Sequence, residues 1–383
     1  MLFADVIGQK EPQARLLQMA REDRIPHALL LCGPQGSGKM AIALAFASYL
    51  LCQDKDKQER GTACGHCPQC VMLRKWHHPD LHFSYPTIKR ANMSADRKPV
   101  SADFAEEWTS MLLREGPYFT IDQWMAEIGA ENQQAIITAG ESDSLNRKLS
   151  MKASQDGYKV SVIWLPERMN SECANKLLKL IEEPPLNTVF LLVSEEPGLL
   201  IDTIRSRTQR IDIKKIDDES VAQALVERRA LTPDAAWRIA RIANGNWTAA
   251  IREITAGGER GEFLEEFKSL TRAAYKRDAR ALKKWSERIQ AFGREKQKRF
   301  IDYFLRMVRE SFVYNFQQPE LNYMTADEQQ FVDNFHPFVN EANLLPINSL
   351  ANKAARDIRQ NANAKIVFFD MALQIAALIR QKI

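Results

Sequence analysis

The eight residues Gly33-Pro34-Gln35-Gly36-Ser37-Gly38-Lys39-Met40 carry the sharpest chemical signal in this 383-residue chain. The pattern GxxxxGK[ST] cradles phosphates: glycines let backbone N–H groups close on the ligand, the lysine reaches the terminal phosphate oxygens, and a hydroxyl holds Mg2+. Met40 stands at the hydroxyl position, and a thioether is a poor ligand for a hard cation. The loop is therefore a scaffold for nucleotide binding through Gly33, Gly36, Ser37, Gly38 and Lys39, with an argument against hydrolysis in its last residue. Whether ATP still occupies it stays open. A hydrolase of this type also needs acidic residues at a strand end. The candidate strand ends Ile163-Trp164-Leu165-Pro166-Glu167, where Glu167 is the lone acid and reads as a solvated surface residue.

A second constellation is Cys52, Cys64, Cys67 and Cys70, spaced C-x11-C-x2-C-x2-C. Thiolates at such spacing can wrap one tetrahedral ion at about 2.3 Å, and four of them close a structural site with no position left for water. Structural Zn2+ is the expected ligand; the bland alternative is a chance group of reduced thiols. His66, His77 and His78 are the nearby substitutes. Cys32 and Cys173 stand apart and read as small core residues. Beyond the apolar run at 188–193, Arg205-Ser206-Arg207 is either solvated or offers a guanidinium to a neighbour's γ-phosphate, where one such charge can raise a rate by several powers of ten. On the residues alone both readings stand. The basic positions between Lys276 and Arg299 are interleaved with acids and read as solvated helix surface.

The elements that must position these residues alternate. Ala28 to Cys32 reads as a short strand, the glycine loop follows, and Lys39 to Leu51 forms an apolar helix, which is the context a phosphate loop requires. Tyr158 to Trp164 and Thr188 to Val193 read as buried strands. Between them Ala174, Leu177, Leu178 and Ile181 fall at helical spacing, ended by Pro184-Pro185. A βαβ series of this kind predicts a mostly parallel sheet with helices on its faces. Residues 84–134 interrupt the series as an insertion with some helix, such as Phe104 to Leu113. After about Ile213 only helices are expected. Asp217 to Arg228 and Pro233 to Ala243 come first. Phe300, Phe304 and Val308 then mark one apolar face, and Ile366, Phe369, Leu373 and Ala376 another.

The length fits two or three domains. Apolar residues at 45% and charged residues at 27% are ordinary for a chain with a sizeable core, and a net charge of +4 neither demands nor excludes nucleic acid. No run approaches the roughly 18 apolar residues that span a bilayer. Met1-Leu2-Phe3-Ala4-Asp5 lacks the basic start and apolar block of a signal peptide. A cytoplasmic protein without a membrane partner is expected, and a reducing compartment favours metal over disulfide at the cysteine cluster.

These motifs together resemble the clamp-loader subunits of bacterial DNA polymerase III, AAA+ proteins, and among them the δ′ type. Val6-Ile7-Gly8-Gln9, Pro26-His27-Ala28 and Gly33 to Lys39 look like the start of such modules. The cysteine cluster is similar to their zinc module, and His78-Pro79-Asp80-Leu81 resembles the segment after it. Asn175 to Pro185 is similar to the helix ending Glu-Glu-Pro-Pro. Ser206-Arg207-Thr208 looks like the Ser-Arg-Cys motif that supplies an arginine finger in trans, and Asn361-Ala362-Asn363 resembles the start of the final collar helix. The departures are Met40, Trp164 and Leu165 in place of an Asp-Glu pair, Thr208 for Cys, and a segment Gly245 to Ala250 without the arginine of active ATPases.

The fold class implied is α/β, with three domains. Residues 1–214 form a RecA-like AAA+ core with a zinc module at about 52–70 and the insertion at about 84–134, residues 215–258 a small helical lid, and residues 259–383 an all-helical collar. The resemblance implies a subunit that helps load the sliding clamp onto primed DNA, lacks ATPase and polymerase activity of its own, and offers Arg207 to a neighbouring ATPase. Its implied partners are the τ/γ ATPases, δ, the sliding clamp, and primer-template DNA through the complex. The alternatives are an active ATPase subunit of τ/γ type and a zinc-stabilised DNA-binding adaptor acting outside any ring.

Overall fold

Apolar runs that are buried on both sides build a central sheet. The structure is a computed structural model that describes residues 1–90, 93–94, 96–130, 133–154, 157–255, 257–318 and 321–381. Positions 91, 92, 95, 131 and 132 of the expected insertion lie outside the described residues.

The chain divides into two units, Met1–Arg252 and Glu253–Ile383. The first contains α1 (Lys10–Arg21), β1 (Ala28–Cys32), α2 (Lys39–Leu51), α3 (Lys57–Arg60), α4 (Pro68–Arg74), β2 (Leu81–Ser84), α5 (Ala105–Glu115), α6 (Ile121–Glu127) and α7 (Ala139–Ser150). It continues with β3 (Lys159–Trp164), α8 (Ser171–Glu182), β4 (Thr188–Ser194), α9 (Asp202–Arg207), β5 (Gln209–Asp212), α10 (Asp218–Arg229) and α11 (Pro233–Ala243). After α12 (Trp247–Thr255) come α13 (Gly257–Lys276), α14 (Ala279–Gln290), α15 (Arg294–Tyr314), α16 (Ala326–Phe335), α17 (Glu341–Arg359) and α18 (Ala364–Leu378). Among the described residues no helix is long and apolar enough to cross a membrane.

The five strands pair in parallel in the order β2-β3-β4-β1-β5. β1 thus lies between β4 and β5, and its loop leaves the carboxyl edge of an interior strand, where parallel sheets place ligands. Every residue of β1, β3 and β4 is buried. So is every residue of α2, which packs against these strands; a helix apolar on all sides belongs in an interior. A separate cluster joins Leu30, Ile163 and Leu192 of the sheet to Leu149 of α7, Leu177 and Ile181 of α8, and Ile204 of α9. α8 starts where the Asn170 side chain accepts from the Cys173 N–H at 2.8 Å, capping one of the orphan donors of the first turn.

The interrupting stretch is more ordered than its composition suggests. α5 covers the expected Phe104 to Leu113 helix nearly residue for residue, and α6 follows. Their core is aromatic: Tyr85 stacks on Trp108 at 3.9 Å, Trp124 meets Trp108 edge-on at 5.3 Å, and the Trp124 indole N–H donates to the Pro86 carbonyl at 2.8 Å.

In the second unit Phe267, Trp285, Phe300, Phe304 and Phe368 form the core. Phe300, Phe304 and Val308 are buried as the sequence predicts. The face expected on α18 is only in part the buried one. Ile366 and Leu373 are 67% and 42% exposed, while Phe368, Met371, Ala372 and Ile375 join the core; of the expected face, Ala376 is buried there and Phe369 packs half-buried against it. α18 is apolar around most of its circumference, so periodicity alone does not select a face.

Candidate functional site

β1 hands the chain to the phosphate loop, which turns into α2 at Gly38, the N-cap residue. Gly36 sits at φ 73°, left-handed backbone that costs glycine nothing, and a Cβ there would lie 1.8 Å from Asn246 Oδ1. At Gly33 the constraint is space: a Cβ would lie 2.1 Å from the Ile213 carbonyl oxygen.

Protein groups enclose the loop on several sides. The Trp247 N–H donates to the Gly36 carbonyl at 3.1 Å. Gln9 Nε2 donates to the carbonyls of Ser37 at 3.0 Å and Lys214 at 2.6 Å. The Tyr118 ring lies against Gly38, and its hydroxyl accepts from the Ile7 N–H at 2.9 Å. Ser37, Gly38, Lys39 and Met40 are buried as a result. Among the described residues the Ser37 hydroxyl has no hydrogen-bond partner.

Lys39 is only 5% exposed. Its ammonium donates to the Pro34 carbonyl at 2.6 Å and faces a Glu195 carboxylate oxygen at 3.8 Å. Burial lowers the ammonium's pKa and Glu195 opposes the shift; burial raises the Glu195 carboxyl and Lys39 opposes that. Glu195 is itself held by Glu167, whose Oε1 accepts from the N–H groups of Glu195 at 2.8 Å and Glu196 at 3.1 Å. Glu167 is thus a partly buried cap on the end of β4 rather than the solvated residue the sequence suggested.

The strand end that would carry metal-binding acids carries Trp164 and Leu165, 3% and 2% exposed. Trp164 packs on Trp108 at 5.4 Å and Phe119 at 5.0 Å, joining the aromatic core of the interrupting stretch. Neither side chain can ligate a cation through oxygen.

Arg207 closes α9. Its Nε pairs with Glu182 at 2.7 Å, with both side chains about two-fifths exposed, and its Nη1 donates to the Thr203 carbonyl at 3.2 Å. The Thr208 hydroxyl turns inward to the Ile204 carbonyl at 3.1 Å, leaving Arg207 outside. The contacts of Arg207 are therefore with α8 and α9 and not with the phosphate loop.

The structure gathers the cysteines. Cys52 ends α2, Cys67 caps α4, Cys70 lies on α4 and Cys64 precedes them; their sulfurs all fall within 4.8 Å of one another, as free thiols. Cys64 Sγ and Cys70 Sγ are 3.8 Å apart. A tetrahedron with arms of about 2.3 Å has edges of roughly 3.8 Å, so the spacing suits a four-thiolate metal site. Backbone N–H groups of Cys64, Cys67 and Cys70 point at the sulfurs of Cys52, Cys64 and Cys67 at 3.3, 3.2 and 3.5 Å. His66 is exposed and forms a smaller set with Asp54 and the same Cys64. His78 is turned elsewhere, its Nδ1 accepting from the Asp80 N–H at 3.0 Å. Cys32 and Cys173 are buried, each 2% exposed.

Four contributors escaped sequence reasoning: Tyr118, Glu195, Asn246 and Glu182. Each reaches its site by tertiary packing; Tyr118 and Glu195 belong to no motif the sequence offered, and Asn246 lies in the Gly245 to Ala250 segment with no contact foreseen for it. Glu182 lies in the Glu-Glu-Pro-Pro run.

A family model described as DNA polymerase III, delta subunit, matches residues 8–217, more than half of the chain. The chain is 24% identical over 262 residues to the DNA polymerase III subunit delta' of Bacillus subtilis, covering 67% of this chain and 62% of that protein. It is 30% identical over 195 residues to the subunit delta' of Pseudomonas aeruginosa, covering 51% and 45%. The subunit tau of Bacillus subtilis is 26% identical over 233 residues, covering 61% and 32%. The matches thus span less than two thirds of these relatives' own length. On the family match, which takes in the phosphate loop, the cysteine cluster and Arg207, this chain belongs to the DNA polymerase III delta-subunit family, with delta' clamp-loader subunits among its relatives.

Proposed function

We propose that the chain works as a hydrolysis-deficient, δ′-type subunit of a clamp loader, helping to place the sliding clamp on primed DNA and offering Arg207 to the ATP bound by a neighbouring τ/γ-type subunit. One observation carries the reading: Met40, Trp164 and Leu165, where Mg2+ ligands would stand, are buried apolar side chains, whereas Arg207 is two-fifths exposed at the end of α9. Losses of this kind remove metal-assisted hydrolysis in cis. A guanidinium held at the surface keeps the capacity to neutralise developing γ-phosphate charge in trans.

The remaining parts follow the same reading. Cys52, Cys64, Cys67 and Cys70 would hold a structural Zn2+, which when bound ties the end of α2 to α4 and supplies no open coordination position. Residues 215–258, which include α10 to α12, serve as the lid, and residues 259–383 as the collar that meets δ and the ATPase subunits. Ile366 and Leu373, two turns apart on α18, leave apolar surface available for such assembly. The sliding clamp and primer-template DNA are met through the complex.

The test is reconstitution. Combined with τ/γ-type ATPases, δ, clamp and primed DNA, the chain should support DNA-stimulated ATP hydrolysis that Arg207→Ala lowers by on the order of a thousandfold at the adjoining site. Alone, the chain should not turn ATP over. Turnover by the isolated chain that disappears with Lys39→Ala points instead to an active ATPase. A complex indifferent to Arg207→Ala points to an adaptor.

A further inference from the structure

The second unit carries a groove between α13 and α16, with a volume of about 530 Å³. Its rim bears Lys268, Arg272 and Lys276, which repeat at i, i+4 and i+8 and so form one ridge of α13. At 1.5 Å per residue that ridge is about 12 Å long. Its floor and wall are Phe331, Phe335 and Tyr275.

We propose that this groove binds an acidic protein segment carrying a bulky apolar side chain. The charge is complementary to carboxylates and largely unspent. Lys268 is paired with Glu265 at 2.8 Å, but Arg272 and Lys276 are exposed and have no carboxylate partner among the described residues. Arg380 adds a fourth cation, its guanidinium 4.8 Å from the centre of the Tyr275 ring. Asp327 is the sole acid among the lining residues. Cations spaced about 6 Å apart along a helix match acids at every second position of an extended segment.

The aromatic floor separates a peptide from a nucleic acid. Phe331 and Phe335 stack on each other at 5.2 Å, and both lie edge-on to Phe267 at 5.8 and 5.5 Å. Tyr275 is edge-on to Phe338 at 5.1 Å and covered by Arg380. Ring faces already engaged in this way leave little for base stacking, which is how single strands use aromatic residues. A void bounded by ring edges and aliphatic stems suits one inserted Phe or Leu side chain.

Fluorescence anisotropy with the full chain tests this, using a fluorescein-labelled peptide Asp-Glu-Asp-Phe-Glu-Asp-Leu-Asp. Binding should weaken by about tenfold or more when Arg272→Glu and Lys276→Glu are combined, and should fall as salt rises. Replacing the peptide's acids by amides, or its Phe and Leu by Ser, should each abolish most of the binding. Both substituted residues are exposed, so the variant should keep the parent's circular dichroism and melting profile. Undetectable peptide binding, an affinity indifferent to the double charge reversal, or tighter binding of labelled oligothymidine that displaces the peptide would each overturn the proposal.

Discussion

Glu328 offers a test of the second unit in which the magnitude follows from geometry. Its carboxylate is 1% exposed and accepts from Arg260 through Nε at 2.8 Å and Nη2 at 2.7 Å, with Arg306 as a further donor. The Thr325 N–H adds a bond at 2.9 Å, closing a capping box at the start of α16. Burial alone would raise the carboxyl, but the two guanidiniums outweigh it and hold the group at about 2 against an ordinary 4.5. That difference contributes roughly 3 kcal/mol to the folded state at neutral pH. Because the folded value is the depressed one, the contribution is complete above about pH 5. It is about half lost near pH 3, and it vanishes as pH falls through the folded value. Glu328→Gln removes the anion that two largely buried guanidiniums share, leaving Arg260 with Glu253 as its carboxylate partner, so a loss of about 3 kcal/mol or more is expected at pH 7.

Trp285 is the one tryptophan between residues 253 and 383, and it is wholly buried. Fluorine NMR of fluorotryptophan-labelled chain therefore isolates this unit's transition during urea unfolding. The gap between the parent and Glu328→Gln should be about 3 kcal/mol or more at pH 7 and roughly halve at pH 3. A gap below about 1 kcal/mol at pH 7, the worth of an exposed ion pair, or one that ignores pH, refutes the cluster's assigned role.

Elemental analysis of the purified chain should find about one zinc per chain, lost in Cys70→Ser; an intact, well-folded preparation without zinc removes the metal from the account. Met40→Thr restores a hydroxyl but no strand-end acid, so the isolated chain should stay at background ATP turnover, and measurable hydrolysis would contradict the importance given to Trp164 and Leu165. Gly36→Ala places a methyl group on Asn246 Oδ1 in left-handed backbone. It should destabilise the first unit by about 1–3 kcal/mol in thermal or urea unfolding, and Asn246→Gly should recover part of that loss.

What could be read from the sequence tracks how locally each feature is encoded. β1, α2 and β4 are buried on every side, so each appears as an uninterrupted apolar run with boundaries close to the observed ones. β2 and β5 went unseen because they are short edge strands: Leu81 to Ser84 includes His82, and Gln209 to Asp212 has one buried residue. Their place is set by pairing with β3 and β1 rather than by their own composition. The cysteine set was legible because its ligands lie close together in the chain. The enclosure of the phosphate loop was not, since Tyr118 and Asn246 arrive from distant segments. Nor was the buried face of α18, where apolar residues outnumber the positions the core can accept.

Trp164 connects these observations. A side chain at the carboxyl end of β3 can either project oxygen toward a bound cation or fill the space above the strand, and an indole does the second. Trp164 packs on Trp108 and Phe119, so the position that would ligate Mg2+ is part of the aromatic core that orders α5 and α6. The same stretch sends Tyr118 to the rim of the phosphate loop. Placing Asp at 164 would leave a cavity where a Trp had been and bury an unpaired carboxylate beside it, two penalties that add. Arg207 hangs on different supports: α9 is seated through Ile204 in the cluster shared with α8, and the guanidinium rests on Glu182. None of those contacts runs through Met40 or Trp164. The two sites therefore rest on separate supports, so the side chains at one can change without moving the other, which is the independence the proposed function requires.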